Sequence, residues 1–247
     1  MSANANPNET PSASSDANPM AAMARGLGPG RGPGGRSVRI ANTSGFYGDR
    51  IAAAAEMVHG GPVDFLTGDW LAELTMLILS RTQAKRPGGG YARTFVTQME
   101  QVMGACLDKG IRVVSNAGGL DPDGCADAVA EVADKLGLSP TIAYVSGDNL
   151  LGRLDQLGAG DDGQYLTHFE TGEPITDTSR FITANAYLGG WGIVEALNQG
   201  ADIVITGRVT DAAVAAGPAA WWHGWPGFTD RDAAWCSNAF SKAPPSS

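Results

Sequence analysis

The chain has 247 residues, of which 26 are acidic and 17 basic, so its formal net charge is −9. This balance excludes nucleic-acid binding through bulk charge, and the longest apolar stretch, residues 70–79, is too short and too interrupted to cross a membrane. A hydrophobic content of 43% is enough for a sizeable core. The cysteines predict neither a disulfide framework nor a zinc site and favour a reducing compartment; they are Cys106, Cys125 and Cys236.

Residues 1–37 are rich in Ser, Asn, Ala, Pro and Gly and have no periodic apolar pattern, which predicts a disordered extension. Within it, residues 30–35 match the pattern G-x-G-x-x-G, but they precede the first predicted strand and open no helix. The sequence also has no P-loop motif. A nucleotide-binding module is therefore the least favoured function class.

From residue 38 onward, short apolar runs alternate with glycine-containing turns and stretches of helical periodicity. The predicted strands are residues 38–41, 63–66, 111–114, 141–145 and 202–205. The predicted helices are residues 49–58, 70–80, 91–109, 122–136 and 187–199. This order predicts an α/β fold, a Rossmann-like three-layer α/β/α sandwich with a mostly parallel sheet.

The predicted helix at residues 70–80 carries apolar side chains on more than one side. Residues 70, 71, 74, 77 and 78 share one face, whereas Met76 and Leu79 lie opposite. This pattern predicts a helix covered on both sides. The cover is either the core of the sandwich or a second subunit, so a homo-oligomer is one of the alternatives.

Two later segments break the alternation. Residues 158–180 are polar and rich in turn formers around His168, which predicts a hairpin excursion or a lid. Trp221, Trp222 and Trp225 need apolar partners, and they either cap this domain or face a further domain. Residues 231–247 form a divergent, polar tail.

The predicted strands end in a recurrent composition of hydroxyl or amide residues followed by glycine. The five segments are residues 42–45, 67–69, 115–119, 146–148 and 206–208. In a parallel sheet all these ends lie at one edge, where helix N-termini point their N–H groups outward. The sequence therefore predicts a pocket for anionic oxygen at this edge.

Each charged residue at this edge also has a structural alternative. Asp49, Asp69, Asp148 and Asp211 lie near predicted helix starts and are candidates for N-caps. Arg50 and Arg208 offer a bidentate fork to a carboxylate or phosphate, or they pair with an aspartate such as Asp69 or Asp211. Asp69 and Asp211 are also the residue types that bind Mg²⁺. Because aspartates at helix starts are common, no metal site is predicted from them.

Acid–base roles are assigned to Asp69 and Glu73. Glu73 lies one turn into its predicted helix and reaches the same edge, where burial would raise the pKa of its carboxyl group; the alternative is an exposed surface glutamate. No cofactor is assigned. The predicted substrate-binding residues are Asn42, Ser44, Gly45, Gly48, Asp49, Arg50, Gly68, Asn116, Gly118, Gly119, Gly207, Arg208 and Asp211.

Four co-linear segments, residues 38–50, 67–76, 116–119 and 206–211, resemble the N-terminal domain of the acyclic terpene utilisation family. The resemblance implies an α/β domain over residues 38–230. Family members continue beyond the tryptophan-rich segment, so the resemblance also implies that this domain is incomplete and the chain truncated. It further implies a cytoplasmic protein of citronellol and geraniol breakdown, a pathway through branched acyl-CoA thioesters and a biotin-dependent carboxylation, without assigning a reaction.

Two hypotheses for function follow. The first is an enzyme, or an enzyme-like subunit, that binds a branched acyl-CoA or carboxylate at the carboxyl edge of the sheet. The second is a non-catalytic partner of a biotin-dependent acyl-CoA carboxylase, with Met76, Leu79 and residues 221–225 as its interface. Neither hypothesis involves a nucleic acid or a membrane as partner.

Overall fold

The computed structural model describes residues 36–86, 88–159, 166–174 and 177–225. The predictions for residues 1–35 and for the tail at 231–247 lie outside these ranges. Arg36 lies inside them and contacts the fold, because its guanidinium bonds both carboxylate oxygens of Asp64 and stacks 4.9 Å from the ring centroid of Trp222. Arg36 thus contacts the fold although the predicted extension includes it, and the bounds of the extension stay a prediction.

A five-stranded sheet forms the centre of the structure, and its strands run parallel in the order β1-β2-β3-β5-β4. The strands are β1 (Ile40–Asn42), β2 (Phe65–Gly68), β3 (Arg112–Ser115), β4 (Ile142–Val145) and β5 (Ile203–Thr206). The helices are α1 (Ala53–Gly60), α2 (Glu73–Gln83), α3 (Arg93–Lys109), α4 (Pro122–Leu136), α5 (Leu154–Ala159), α6 (Trp191–Asn198) and α7 (Ala213–His223), and a 3₁₀ helix (Leu151–Arg153) precedes α5. The predicted α/β fold is confirmed.

Alternating side chains of the strands point to two separate apolar layers. On one face, Leu66, Val113 and Ile203 pack with residues of α1, α3 and α4. On the other, Phe65 and Val114 pack with α6 and α7. The sheet is thus the middle of three layers.

Helix α2 departs from its prediction. It begins at Glu73 and buries one face through Met76 and Leu79, whereas Leu74 is 67% exposed. The position of the helix explains this exposure, because Leu79 packs against Gly119 in the loop after β3. The helix therefore lies beside the carboxyl edge of the sheet. The alternative in which the core of the sandwich covers both of its sides is wrong, because Leu74 is exposed, whereas cover by a second subunit stays a prediction.

Trp221 and Trp222 of the tryptophan-rich segment belong to α7, a helix that the sequence did not predict, and Trp225 follows its end. Trp221 and Trp222 are 2% exposed and pack edge-on against Phe65, at 6.0 and 6.3 Å between ring centroids. They cap this domain, which is one of the two alternatives above. Because Met76, Leu79, Trp221 and Trp222 are all buried within the chain, they do not form the exposed interface expected for docking on a carboxylase.

The predicted excursion is described only in part. Thr167 pairs antiparallel with Pro174, and the backbone of His168 exchanges hydrogen bonds with Gly172 and Glu173. These residues form a short hairpin, as one alternative predicts. Among the described residues, no helix has the length and apolar character needed to cross a membrane.

Candidate functional site

The strand order predicts a ligand crevice at the carboxyl edge between β3 and β5. β3 leads to α4 on one face of the sheet, whereas its neighbour β5 leads to α7 on the other. Loops that diverge from adjacent strands leave a crevice, which is the usual ligand site of open α/β sheets. We call this region the central crevice; it is bordered by Asp69, Glu73, Asn116, Tyr187 and Arg208.

Arg208, which follows β5, is the main cation of the central crevice. Its side chain is only 5% exposed. Nη1 donates to the carbonyl oxygen of Leu71 at 2.7 Å, and Nη2 donates to the hydroxyl of Tyr187 at 2.7 Å. Its carboxylate partners are farther away, with Glu73 Oε1 at 3.4 Å and Asp211 Oδ1 at 3.6 Å. A charged hydrogen bond is ordinarily 2.7–2.9 Å long. Arg208 therefore bonds the two neutral oxygens at the ordinary distance and contacts the two carboxylates only weakly.

Tyr187 connects this arginine to Glu73. The guanidinium carbon of Arg208 lies 4.3 Å from the centroid of the tyrosine ring, and the tyrosine hydroxyl donates to Glu73 Oε1. This hydrogen bond, with help from Arg208, lowers the pKa of Glu73 below its ordinary value. The expectation of a raised pKa at Glu73 is therefore wrong, because the carboxylate is 81% exposed rather than buried.

Asp69 has the raised pKa instead. Burial raises it, the nearby charge of Asp211 adds to the increase, and a hydrogen bond from Asn116 opposes it. Asn116 is fully buried and orients the turn after β2: its Nδ2 donates to Asp69 Oδ1 at 2.6 Å, and its Oδ1 accepts the backbone N–H of Trp70 at 2.7 Å. A half-buried carboxyl group that holds its proton more tightly suits proton transfer.

Asp148, which follows β4, was noted in the sequence but not assigned to the site. It is 2% exposed and accepts the backbone N–H of Arg208 at 2.8 Å and Nδ2 of Asn185 at 2.9 Å. Its carboxylate leaves no room for a side chain at position 207, since a Cβ on Gly207 would lie 2.5 Å from Oδ1. Asp148 thus fixes the turn from which Arg208 extends.

The segment at residues 43–50, which we call the β1 loop, lies at the outer end of the same edge because β1 is an edge strand. Arg50 forms two hydrogen bonds with the carboxylate of Glu56, at 2.9 and 2.6 Å, and its side chain is 65% exposed. Asp49 accepts the backbone N–H groups of Gly45 and Arg50. Arg50 therefore pairs with Glu56 and not with Asp69 or Asp211.

Comparison with known proteins gives one match that covers most of the chain. The family model described as "Acyclic terpene utilisation family protein AtuA" matches residues 38–234. The chain belongs to the acyclic terpene utilisation family. The family implies a role in acyclic terpene utilisation. No significant match is found among curated proteins or among solved structures.

In this member of the family, the candidate aspartates do not cap the helices they precede. The capping positions of α1, α2 and α7 are Ala52, Ala72 and Ala212, none of which makes a side-chain capping bond. The 3₁₀ helix after Asp148 is likewise preceded by Leu150 without such a bond. The N-cap alternative is therefore wrong for Asp49, Asp69, Asp148 and Asp211.

Most of the remaining predicted residues make close contacts within the chain. Asn42 donates to the carbonyl of Ser44, and the hydroxyl of Ser44 donates to the carbonyl of Phe46. A Cβ on Gly68 or Gly118 would come within 2.7 Å of atoms of this chain. The same close packing holds for Gly119 and Gly207, whereas Gly45 faces open space and Gly48 has a φ of 100°.

Other reactive groups offer little chemistry. Within the described ranges, no group of three or more His, Cys, Asp or Glu side chains is arranged to hold a metal ion. Cys106 and Cys125 are free and buried, and burial raises the pKa of Cys106 to about 12 and also raises the pKa of Cys125, so these thiols stay protonated. Among the described residues, the acidic and basic groups of the central crevice are thus the main candidates for chemistry.

Two site residues were missed in the sequence, namely Tyr187 and Asn185. The periodicity predicted that Tyr187 begins a helix, but α6 begins at Trp191. Tyr187 instead lies in an extended stretch, pinned by a parallel bridge between Leu188 and Val209 and an antiparallel bridge between Asn149 and Asn185. In the sequence, the one signal for the contacts of this stretch is Asp148, an aspartate at the end of a strand.

Proposed function

We propose that the central crevice binds the acyl end of a branched terpenoid acid or of its CoA thioester, within the breakdown of citronellol- and geraniol-type terpenoids. The observation that supports this most is the bonding of Arg208, a buried cation whose tight partners are neutral oxygens. Its two carboxylate partners are exposed and lie 3.4 and 3.6 Å from the guanidinium, so an incoming anionic or polarised oxygen can take their place beside Arg208.

Asp69 is the proposed acid–base residue. It lies beside Asn116 and within the electrostatic reach of Arg208, and its raised pKa favours proton exchange with a bound ligand. A carbonyl oxygen held by Arg208 would become more polarised, which would ease removal of a proton next to it. The class of reaction we propose is therefore proton transfer adjacent to a carbonyl group.

The test is thermal unfolding with citronellic acid, citronellyl-CoA and ATP, because a ligand that binds the folded state raises the midpoint. We expect a rise with the acid or the thioester and none with ATP. The rise should shrink in Arg208→Lys, since lysine keeps the charge but loses the planar fork. If neither the acid nor the thioester raises the midpoint of the native chain, the proposal fails.

Arg112→Lys is the matched control. Arg112 also stacks on an aromatic ring, 4.5 Å from the centroid of Trp221, and also donates to backbone carbonyls, those of Leu197 and Ala201. It begins β3, at the amino edge of the sheet. The variant should therefore lose stability as Arg208→Lys does, while its ligand-induced rise stays that of the native chain.

A further inference from the structure

The central crevice already contains a bound carboxylate, which belongs to the chain itself. Glu73 Oε1 accepts the hydroxyl proton of Tyr187 and lies 3.4 Å from Nη2 of Arg208. A phenol hydroxyl and a guanidinium that converge on one oxygen form a receptor suited to a carboxylate. The rest of the Glu73 side chain is in solvent, so the residue is held mainly by its charged end.

We infer that Tyr187 and Arg208 form a receptor for the free carboxylate of an apolar acid, and that Glu73 holds the place of that carboxylate. This inference rests on the proposed function and narrows its ligand from an acid or thioester to the acid. Exchange of one carboxylate for another leaves the charge beside the buried Arg208 unchanged. A thioester carbonyl would instead leave this cation with one anion fewer.

The receptor has a fixed backbone and movable side chains. The residues on either side of Tyr187 are held, because the N–H of Ala186 donates to Asp148 O at 2.7 Å and the N–H of Leu188 donates to Arg208 O at 3.2 Å. The Tyr187 side chain is half exposed, and Glu73 is in the first turn of α2 with its carboxylate in water. The site can therefore exchange its carboxylate by side-chain rotation alone.

The surroundings of the receptor select the rest of the ligand. Asp69 and Asp211 add negative charge to the crevice, which opposes a polyanion such as the phosphate groups of CoA. Apolar side chains are exposed on and beside α2, the helix that carries Glu73: Leu74 is 67% exposed and Ile182 is 52% exposed. The Oγ of Ser80, a residue of α2, donates to the carbonyl of Ile182. Ile182 therefore lies beside the helix that carries Leu74. A monocarboxylate with an apolar body fits this combination.

The test is calorimetric titration of the full chain with citronellic acid, citronellyl-CoA and citronellol, which share their carbon skeleton and differ at one end. We expect the acid to bind most tightly. Tyr187→Phe should weaken the acid about tenfold through loss of one hydrogen bond to a charged group. Glu73→Gln should tighten it by about threefold to tenfold, because a neutral amide competes less well for the receptor.

Glu56→Gln is the matched control, because Glu56 is also an exposed glutamate bonded to an arginine, and it should leave acid affinity unchanged. If the thioester binds and the acid does not, or if Glu73→Gln weakens the acid as Tyr187→Phe does, the inference is wrong while the proposed function stands. If neither the acid nor the thioester binds, both are wrong.

Discussion

Arg50 and Arg208 follow strands of the same sheet at the same edge, yet they differ in burial and in bonding partners. Arg50 makes a short bidentate pair with Glu56 in solvent. Arg208 is buried, bonds tightly to a carbonyl and a hydroxyl, and keeps its carboxylates at a distance. An arginine follows a glycine-containing turn at both places, so the sequence motif does not distinguish the two residues. Burial distinguishes them, because only the buried Arg208 can still bond a ligand.

The largest expected difference between the two regions is in stability. Arg208→Ala leaves the carbonyl of Leu71 and the hydroxyl of Tyr187 without their donor, which should lower the free energy of unfolding by about 3 kcal/mol. Arg50→Ala removes only an exposed pair and should leave the unfolding midpoint unchanged. Urea denaturation measures both, and Arg208→Lys serves if the alanine variant does not fold. Similar losses at the two positions would contradict the contrast.

The glycines of the two turns give the next test. In Gly207→Ala the new Cβ would lie 2.5 Å from the buried carboxylate of Asp148, so we expect a loss of about 2 kcal/mol. In Gly45→Ala the Cβ meets nothing within 4 Å, and the change should stay within about 0.5 kcal/mol. The same urea experiment compares them. A well-tolerated alanine at position 207 would show that Asp148 does not fix this turn.

Local signals explain how far the sequence could predict this structure. The bounds of α4 agree with the prediction at both ends, because Asp121 caps it, Pro122 opens it and Gly137 closes it in a left-handed conformation. Helix α7 was missed because Gly217 and Pro218 interrupt the pattern that marks a helix. Gly217 is there because α6 and α7 approach closely, with Gly190 O 3.2 Å from where its Cβ would be.

The candidate site was predictable in its location but not in its partners. The composition of the strand ends predicted the edge of the sheet and included Asp69, Asn116 and Arg208. Tyr187 and Asn185 come from a stretch without helical or strand periodicity, and only tertiary contacts bring them to Arg208 and Asp148. Such contacts leave no pattern in a single sequence, so the tyrosine could not be predicted.

The smallest expected effect, and the one most specific to the contrast, is an opposite pH dependence of two aspartates. Burial raises the pKa of Asp69, so its ionised form destabilises the folded chain at neutral pH. Backbone hydrogen bonds from Gly45 and Arg50 lower the pKa of Asp49, so its ionised form stabilises the fold at neutral pH. As the pH falls into the range in which carboxyl groups take up protons, the destabilisation by ionised Asp69 disappears and the stabilisation by ionised Asp49 is lost.

Thermal unfolding of Asp69→Asn and Asp49→Asn between pH 7 and pH 3 measures this contrast. At pH 7 we expect Asp69→Asn to melt about 2 °C above the native chain and Asp49→Asn to melt slightly below it. The Asp69→Asn gain should vanish as the pH falls through the raised pKa of Asp69, because the native carboxyl group then becomes neutral too. The Asp49→Asn deficit should persist to lower pH and vanish only near the depressed pKa of Asp49. Deviations of the same sign at pH 7 would mean that the two ends of the edge do not differ in their electrostatics.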